Sequence, residues 1–171
     1  MSILNIIKYP DPILKKKSEP VREITQEIQR LIDEMAETMY AAPGVGLAAP
    51  QVGRSVRVIV IDVNSKEEQK RDLISLINPE IIERSGDIAW EEGCLSIPDY
   101  SADVKRAERV VVCGLDRDGK KRVIVGEELL SIVLQHEIDH LDGMLFIDRL
   151  GPIKRDLVRR RLRKQARVDS I

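Results

Sequence analysis

Only two cysteines, Cys94 and Cys113, occur in 171 residues, too few for a secreted disulfide framework. Long apolar runs are missing as well. Stretches such as "VIVI" (58–61) fall far short of the ~20 residues that a membrane helix needs. The first residues, "MSILNIIKYPDPILKKK", lack the charged-then-apolar layout and small-residue cleavage site of a signal peptide. No internal repeat, low-complexity segment or Ser/Gly linker divides the chain. These absences lead to the expectation of a reduced, cytoplasmic protein, one domain over residues 1–171, with no membrane partner. With 43% apolar and 33% charged residues, the composition is that of a globular rather than a disordered chain. Its length is enough to bury roughly 70% of the unfolded surface.

Histidine is just as scarce, and both copies sit in one short stretch, "QHEIDH" (135–140). The flanking sequence predicts a helix from about Glu127 to Asp142, closed by Gly143. Leu129, Val133, His136 and His140 then share one face. Imidazoles four residues apart can reach one ion, and the H-E-x-x-H spacing leaves Glu137 beside it as a general base. The same spacing also fits two hydrogen-bonded histidines near a helix end. A catalytic metal site needs a third protein ligand and an open position. Cys113 lies in the apolar "VVVC", where a buried structural cysteine is the plainer role. Cys94 follows a glycine amid the polar residues of "EEGCLS", a setting that favours a ligating thiolate.

Elsewhere, Thr25 can cap a helix whose stripe is Ile28, Leu31, Ile32, Met35 and Met39, ending before Pro43. "VRVIVIDV" (56–63) and "LISLI" (73–77) read as strands around the charged loop "NSKEEQKRD". "RVVVCGL" (109–115) and "KRVIVG" (121–126) flank Asp118-Gly119, a hairpin signal. "PGVGLAAPQVG" (43–53) reads as a tightly packed loop in which Gln51 offers an amide donor. It lacks the Gly-Lys-Ser/Thr ending of a phosphate loop. Pro152 opens a third, basic helix over 152–171. Strands gathered in the middle with separate helices predict an α+β fold.

"GVGLAAPQ", "EGCLS" and "QHEIDHLDG", in this order, resemble the three signature motifs of peptide deformylases. "VRVIVIDV", "LINPEI" and "GLDRDGK" are similar to that family as well, so the likeness spans most of the chain. The long C-terminal helix resembles the class typified by Gram-negative bacteria. The resemblance implies an α+β fold, with a central metal-binding helix packed against antiparallel or mixed sheets and a further helix at each end. It implies removal of the N-formyl group from the initiator methionine of nascent polypeptides, releasing formate. It implies Cys94, His136 and His140 as ligands of one divalent ion, Fe²⁺ in the cell with Zn²⁺, Ni²⁺ or Co²⁺ as replacements. Glu137 would be the base, and the Leu95 N–H and the Gln51 amide the oxyanion donors. Val45 and Trp90 would join Leu129, Ile132 and Val133 around the methionine side chain, with Val45 and Gly46 pairing the peptide backbone. Glu92 and Arg106 would brace the strand that bears the cysteine.

Three other readings compete. A zinc peptidase would draw its third ligand from downstream, where only Asp142 and Asp148 are candidates. A structural zinc module would close its site with Cys94, Cys113, His136 and His140. A nucleic-acid-binding protein would lead with its tail. From Lys154 to Ile171, eight basic and two acidic residues leave +6, so the rest of a chain of net charge −1 carries −7. A basic end of this kind suits an acidic partner. For a deformylase of this class the resemblance implies the ribosome near its exit tunnel, and no DNA.

Overall fold

The computed structural model describes residues 2–169. Its elements are α1 (Gln26–Ala41), β1 (Gly46–Ala48), β2 (Val58–Ile61), β3 (Ile74–Ser85), β4 (Ile88–Cys94), β5 (Ile97–Arg106), β6 (Arg109–Leu115), β7 (Lys121–Glu127), α2 (Leu129–Leu141) and α3 (Pro152–Asp169). Five strands form one sheet in the order β1-β2-β3-β6-β7, and β4 and β5 form a separate hairpin. Every pairing between these strands is antiparallel. The fold is α+β.

The apolar run of β2 explains why a helix lies on each side of the sheet. Ile59 and Ile61 face one cluster, with Leu134, Ile138 and Leu141 of α2. Val58 and Val60 face the other, with Ile28, Leu31, Ile32, Met35 and Met39 of α1. A strand buried on both faces reads as a continuous apolar run instead of an alternating one. The stripe of α1 is the predicted one, and Thr25 Oγ accepts from the Ile28 N–H at 3.3 Å to start it. A third cluster gathers Ile97, Ala102 and Val104 of the hairpin with Phe146, Ile147 and Val158. Thus α2 lies between the sheet and the β4–β5 hairpin, the geometry that sets up the site.

Several elements run differently from their sequence signals. The strand expected at 73–77 continues to Ser85, with register shifts after Ile77 and Ile81. The 43–53 loop contains the short β1 and a 3₁₀ turn over Ala49–Val52, because its backbone pairs with β2. No sequence signal announced the β4–β5 hairpin. The end of α2 follows expectation: Met144 N–H donates to Asp139 O and Gly143 N–H to His140 O, with Gly143 at φ 75°. A Cβ on Gly143 would collide with the Lys15 carbonyl, so glycine is needed there on both counts.

Candidate metal centre

Eleven of the thirteen residues of α2 are buried, among them Gln135, His136, Glu137, Asp139 and His140. A helix enclosed on all sides must find partners for such groups elsewhere in the protein. The β4–β5 hairpin supplies most of them. Cys94 ends β4, and its Sγ lies 3.4 Å from His140 Nε2. The candidate ligand atoms of Cys94, His136 and His140 all lie within 4.8 Å of one another. Bonds of ~2.3 Å to sulfur and ~2.1 Å to nitrogen at a tetrahedral angle put these atoms about 3.6 Å apart. The donor set therefore fits a single tetrahedral ion.

The imidazoles are held differently. His136 Nδ1 donates to Glu92 Oε1 at 2.9 Å, leaving its Nε2 for a ligand. Arg106 grips Glu92 through two bonds of 2.8 Å and reaches Asp139 Oδ2 at 2.6 Å, and Arg149 takes Asp139 at 2.7 and 3.1 Å. Burial alone would push the Glu92 carboxyl up, but Arg106 and His136 outweigh it and hold it down at about 2. His140 Nδ1 is buried without a hydrogen-bond partner among the described residues. Burial and the charge of His136 push His140 well below its ordinary value, which keeps it neutral as a ligand must be. Burial opposes protonation of His136 too, yet without an ion Glu137, Cys94 and Glu92 together raise it well above the usual imidazole range, so an ion taken up at Nε2 displaces a proton.

Glu137 is buried, and its Oε1 has no hydrogen-bond partner among the described residues. Desolvation raises its carboxyl to about 7, with the His136 charge opposing. Gln51 is buried with its amide orientation set, because Oε1 accepts from the Ala48 N–H at 2.9 Å. Its Nε2 then faces the site, donating to Ser96 Oγ at 3.1 Å and towards Cys94 Sγ at 3.6 Å. The Leu95 carbonyl accepts from Lys8 Nζ at 2.9 Å.

One cavity of about 330 Å³ opens over this cluster. Its lining includes Val45, Gly46, Gln51, Trp90, Glu92, Cys94, Leu95, Leu129, Ile132, Val133, His136 and Glu137. Of the site residues that the resemblance implies, His140 and Arg106 stand behind the wall, as partners of Cys94 and Glu92. Three candidates stay apart. Cys113 pairs with Val123 in the large sheet and is no part of the cluster, so the closed four-ligand site does not form. Asp142 binds Arg57 at 3.0 Å, and Asp148 accepts from the Leu145 N–H while pairing with Arg159, so neither is a downstream ligand. Sequence reasoning missed Asp139, Arg149 and Ser96. Asp139, three residues after His136 on a buried helix, was the one with a readable signal.

The family profile described as Polypeptide deformylase matches residues 3–156. This chain belongs to that family. It is 54% identical over 165 residues to a peptide deformylase of Syntrophobacter fumaroxidans, covering 96% of each chain. It is 56% identical over 163 residues to one of Thermodesulfovibrio yellowstonii, covering 95% of this chain and 98% of the relative. The crystal structure of a peptide deformylase from Legionella pneumophila superposes with a TM-score of 0.89 at 47% identity, covering 99% and 98%. Members of the family are metalloenzymes that remove the N-formyl group from the initiator methionine, and this chain is such a hydrolase. Among the described residues no helix is long and apolar enough to cross a membrane.

Proposed function

We propose that deformylation takes place in the cavity above α2, with Cys94, His136 and His140 holding one divalent ion. The observation that carries this reading is the convergence of one thiolate and two imidazoles within 4.8 Å, beside a buried carboxylate with a free oxygen. When bound, the ion supplies Lewis acidity toward a water and the formyl oxygen. Glu137 takes a proton from the attacking water and hands it to the leaving amine, which frees formate and a new N-terminus. The Gln51 amide, turned toward Cys94, and the Leu95 N–H donate to the oxygen that becomes negative. Glu92 and Arg106, with Asp139 behind them, fix the His136 ring.

Leu129, Ile132, Val133, Val45 and Trp90 surround the methionine side chain. Their support is their shared lining of the cavity beside His136. Val45 and Gly46 pair with the extended peptide backbone. The ion is Fe²⁺ in the cell, with Zn²⁺, Ni²⁺ or Co²⁺ as substitutes, a donor set of one sulfur and two nitrogens suiting each. The basic helix α3 docks on ribosomal phosphate near the exit tunnel, and the whole chain acts as one cytoplasmic domain.

Metal analysis of anaerobically purified protein, coupled to formate release, tests this reading. About one iron per chain is expected, with turnover decaying in air as iron or the Cys94 thiolate oxidises. A formyl-Met peptide should outpace a formyl-Ala peptide by well over about tenfold, several methylene-sized contacts being at stake. Full activity after prolonged aeration would overturn iron, and equal rates on the two peptides would overturn the pocket.

A further inference from the structure

The charged loop between β2 and β3 has no part in the chemistry described so far, yet it is tied down tightly. Asp62, buried at the end of β2, accepts from the Asn64 N–H at 2.9 Å, the Asp72 N–H at 3.0 Å and the Tyr40 hydroxyl at 2.7 Å. One carboxylate thus gathers both ends of the loop. Arg71 stacks on the Tyr40 ring at 4.1 Å, and its Nε donates to the Ser65 carbonyl at 2.9 Å. These contacts hold the residue next to Ser65 in place, and that residue is Lys66. It is exposed and lines the same cavity as Cys94, His136 and Glu137. No ion pair or hydrogen bond engages its ammonium among the described residues. The other exposed charge in the lining, Glu91, accepts from the Ser101 hydroxyl at 2.7 Å and stays negative, so Lys66 is the one lysine or arginine of the lining.

A fixed backbone carrying a free cation at the mouth of a substrate cavity is a means of sorting substrates by charge. The methionine side chain is apolar and the formyl group neutral, so a charge at the rim can act only on residues that follow the methionine. We propose that Lys66 is a specificity-determining residue, favouring substrates with an acidic side chain one or two residues after the formylated methionine. This rests on the reading of the cavity as the deformylation site. Because the pair forms at the solvent edge, its effect is modest and screened by salt.

The test uses the metal-loaded enzyme and C-terminally amidated formyl-Met-Asp-Ala and formyl-Met-Ala-Asp, with their Lys and Ser counterparts. The readout is the ratio of kcat/KM for the acidic peptide to that for the basic one, each divided by the Ser peptide. At low salt the wild type should favour acidic peptides by about two- to fivefold. Lys66→Gln should bring the ratio near one and Lys66→Glu should invert it, while about 1 M salt should flatten the preference in every form. A wild-type ratio of one, or a ratio unmoved by Lys66→Glu, overturns the role of Lys66. Failure of the wild type to release formate from the Ser peptides would instead overturn the reading of the cavity.

Discussion

Helices α2 and α3 are built from opposite materials. Eleven of thirteen residues are buried in α2, including two imidazoles and two carboxylates, whereas Val158 is the single buried residue in the eighteen of α3. Polar groups enclosed in α2 cannot fall back on water, so His136 is gripped by Glu92 of β4, and Asp139 by Arg106 of β5 and by Arg149, while Glu137 keeps one oxygen unpaired among the described residues. Charges on α3 can be solvated as they stand. The two helices therefore respond differently to substitution, the first through geometry and the second through long-range charge. Removing single groups from each should separate the two kinds of effect.

The largest change is expected from Glu137→Ala. The variant should keep its metal and lose activity by a factor of about 10² or more, since the carboxylate is needed for proton transfer and makes no bond to the ligand set. Formate release and metal content, measured on the same sample, decide it. An active variant would remove Glu137 from the reaction. Next is Arg106→Ala, which takes the guanidinium from buried Glu92 and leaves Asp139 with Arg149 alone. Metal affinity or activity should fall about 10–100-fold, and stability by about 3–5 kcal/mol. Unchanged denaturation and metal retention would show that the buried Glu92–Arg106–Asp139 chain supports neither the fold nor the ligands. Smaller again is Gly46→Ala. Its added Cβ would stand 2.5 Å from Glu137 Oε2 and 2.9 Å from Val133 Cγ1, so the carboxylate must shift. We expect kcat to drop about tenfold with metal bound as before, because small misplacements of a reacting group are costly. A wild-type kcat would mean that Glu137 tolerates displacement.

How much of this could be read in the sequence follows the same divide. The α1 stripe, the Asp118-Gly119 hairpin and the α2 boundaries were legible because local periodicity, capping and turn chemistry agree with the tertiary fold. The β4–β5 hairpin was not. Its strand "IAWEEGC" is mostly solvent-facing and carries two glutamates and a glycine, so it shows neither an apolar run nor clean alternation. The far half of β3 hid in the same way, with "ERS" on an exposed stretch. At the site, residues on one helix face declared themselves through spacing, and Cys94 through its neighbours. Arg149 had no such mark. Its value comes from lying beside Asp139, a pairing across ten residues that only the fold creates.

Neutralising the charge of α3 should leave catalysis on short peptides unaltered, the smallest effect of the series and the one that tests the contrast most directly. The helix is anchored by Val158 and Leu162 against Phe146 and the hairpin, and by Arg159 on Asp148. Lys154, Arg160, Arg161, Arg163 and Lys164 are exposed, and none of them is tied to that anchor. Replacing these five by Gln therefore removes charge while keeping the packing, which a truncation would not do. The family profile ends at residue 156, so these positions other than Lys154 lie outside the region it matches. If α3 engages ribosomal phosphate as proposed, co-sedimentation with ribosomes at low salt should fall by about tenfold or more. The slope of log affinity against log salt should flatten by about 0.7–0.9 for each phosphate that the helix no longer neutralises. Formate release from a formyl-Met tripeptide should change less than about twofold, the helix lying outside the cavity lining. Normal co-sedimentation with an unchanged salt slope would make α3 a solvated helix whose charge has no partner on the ribosome.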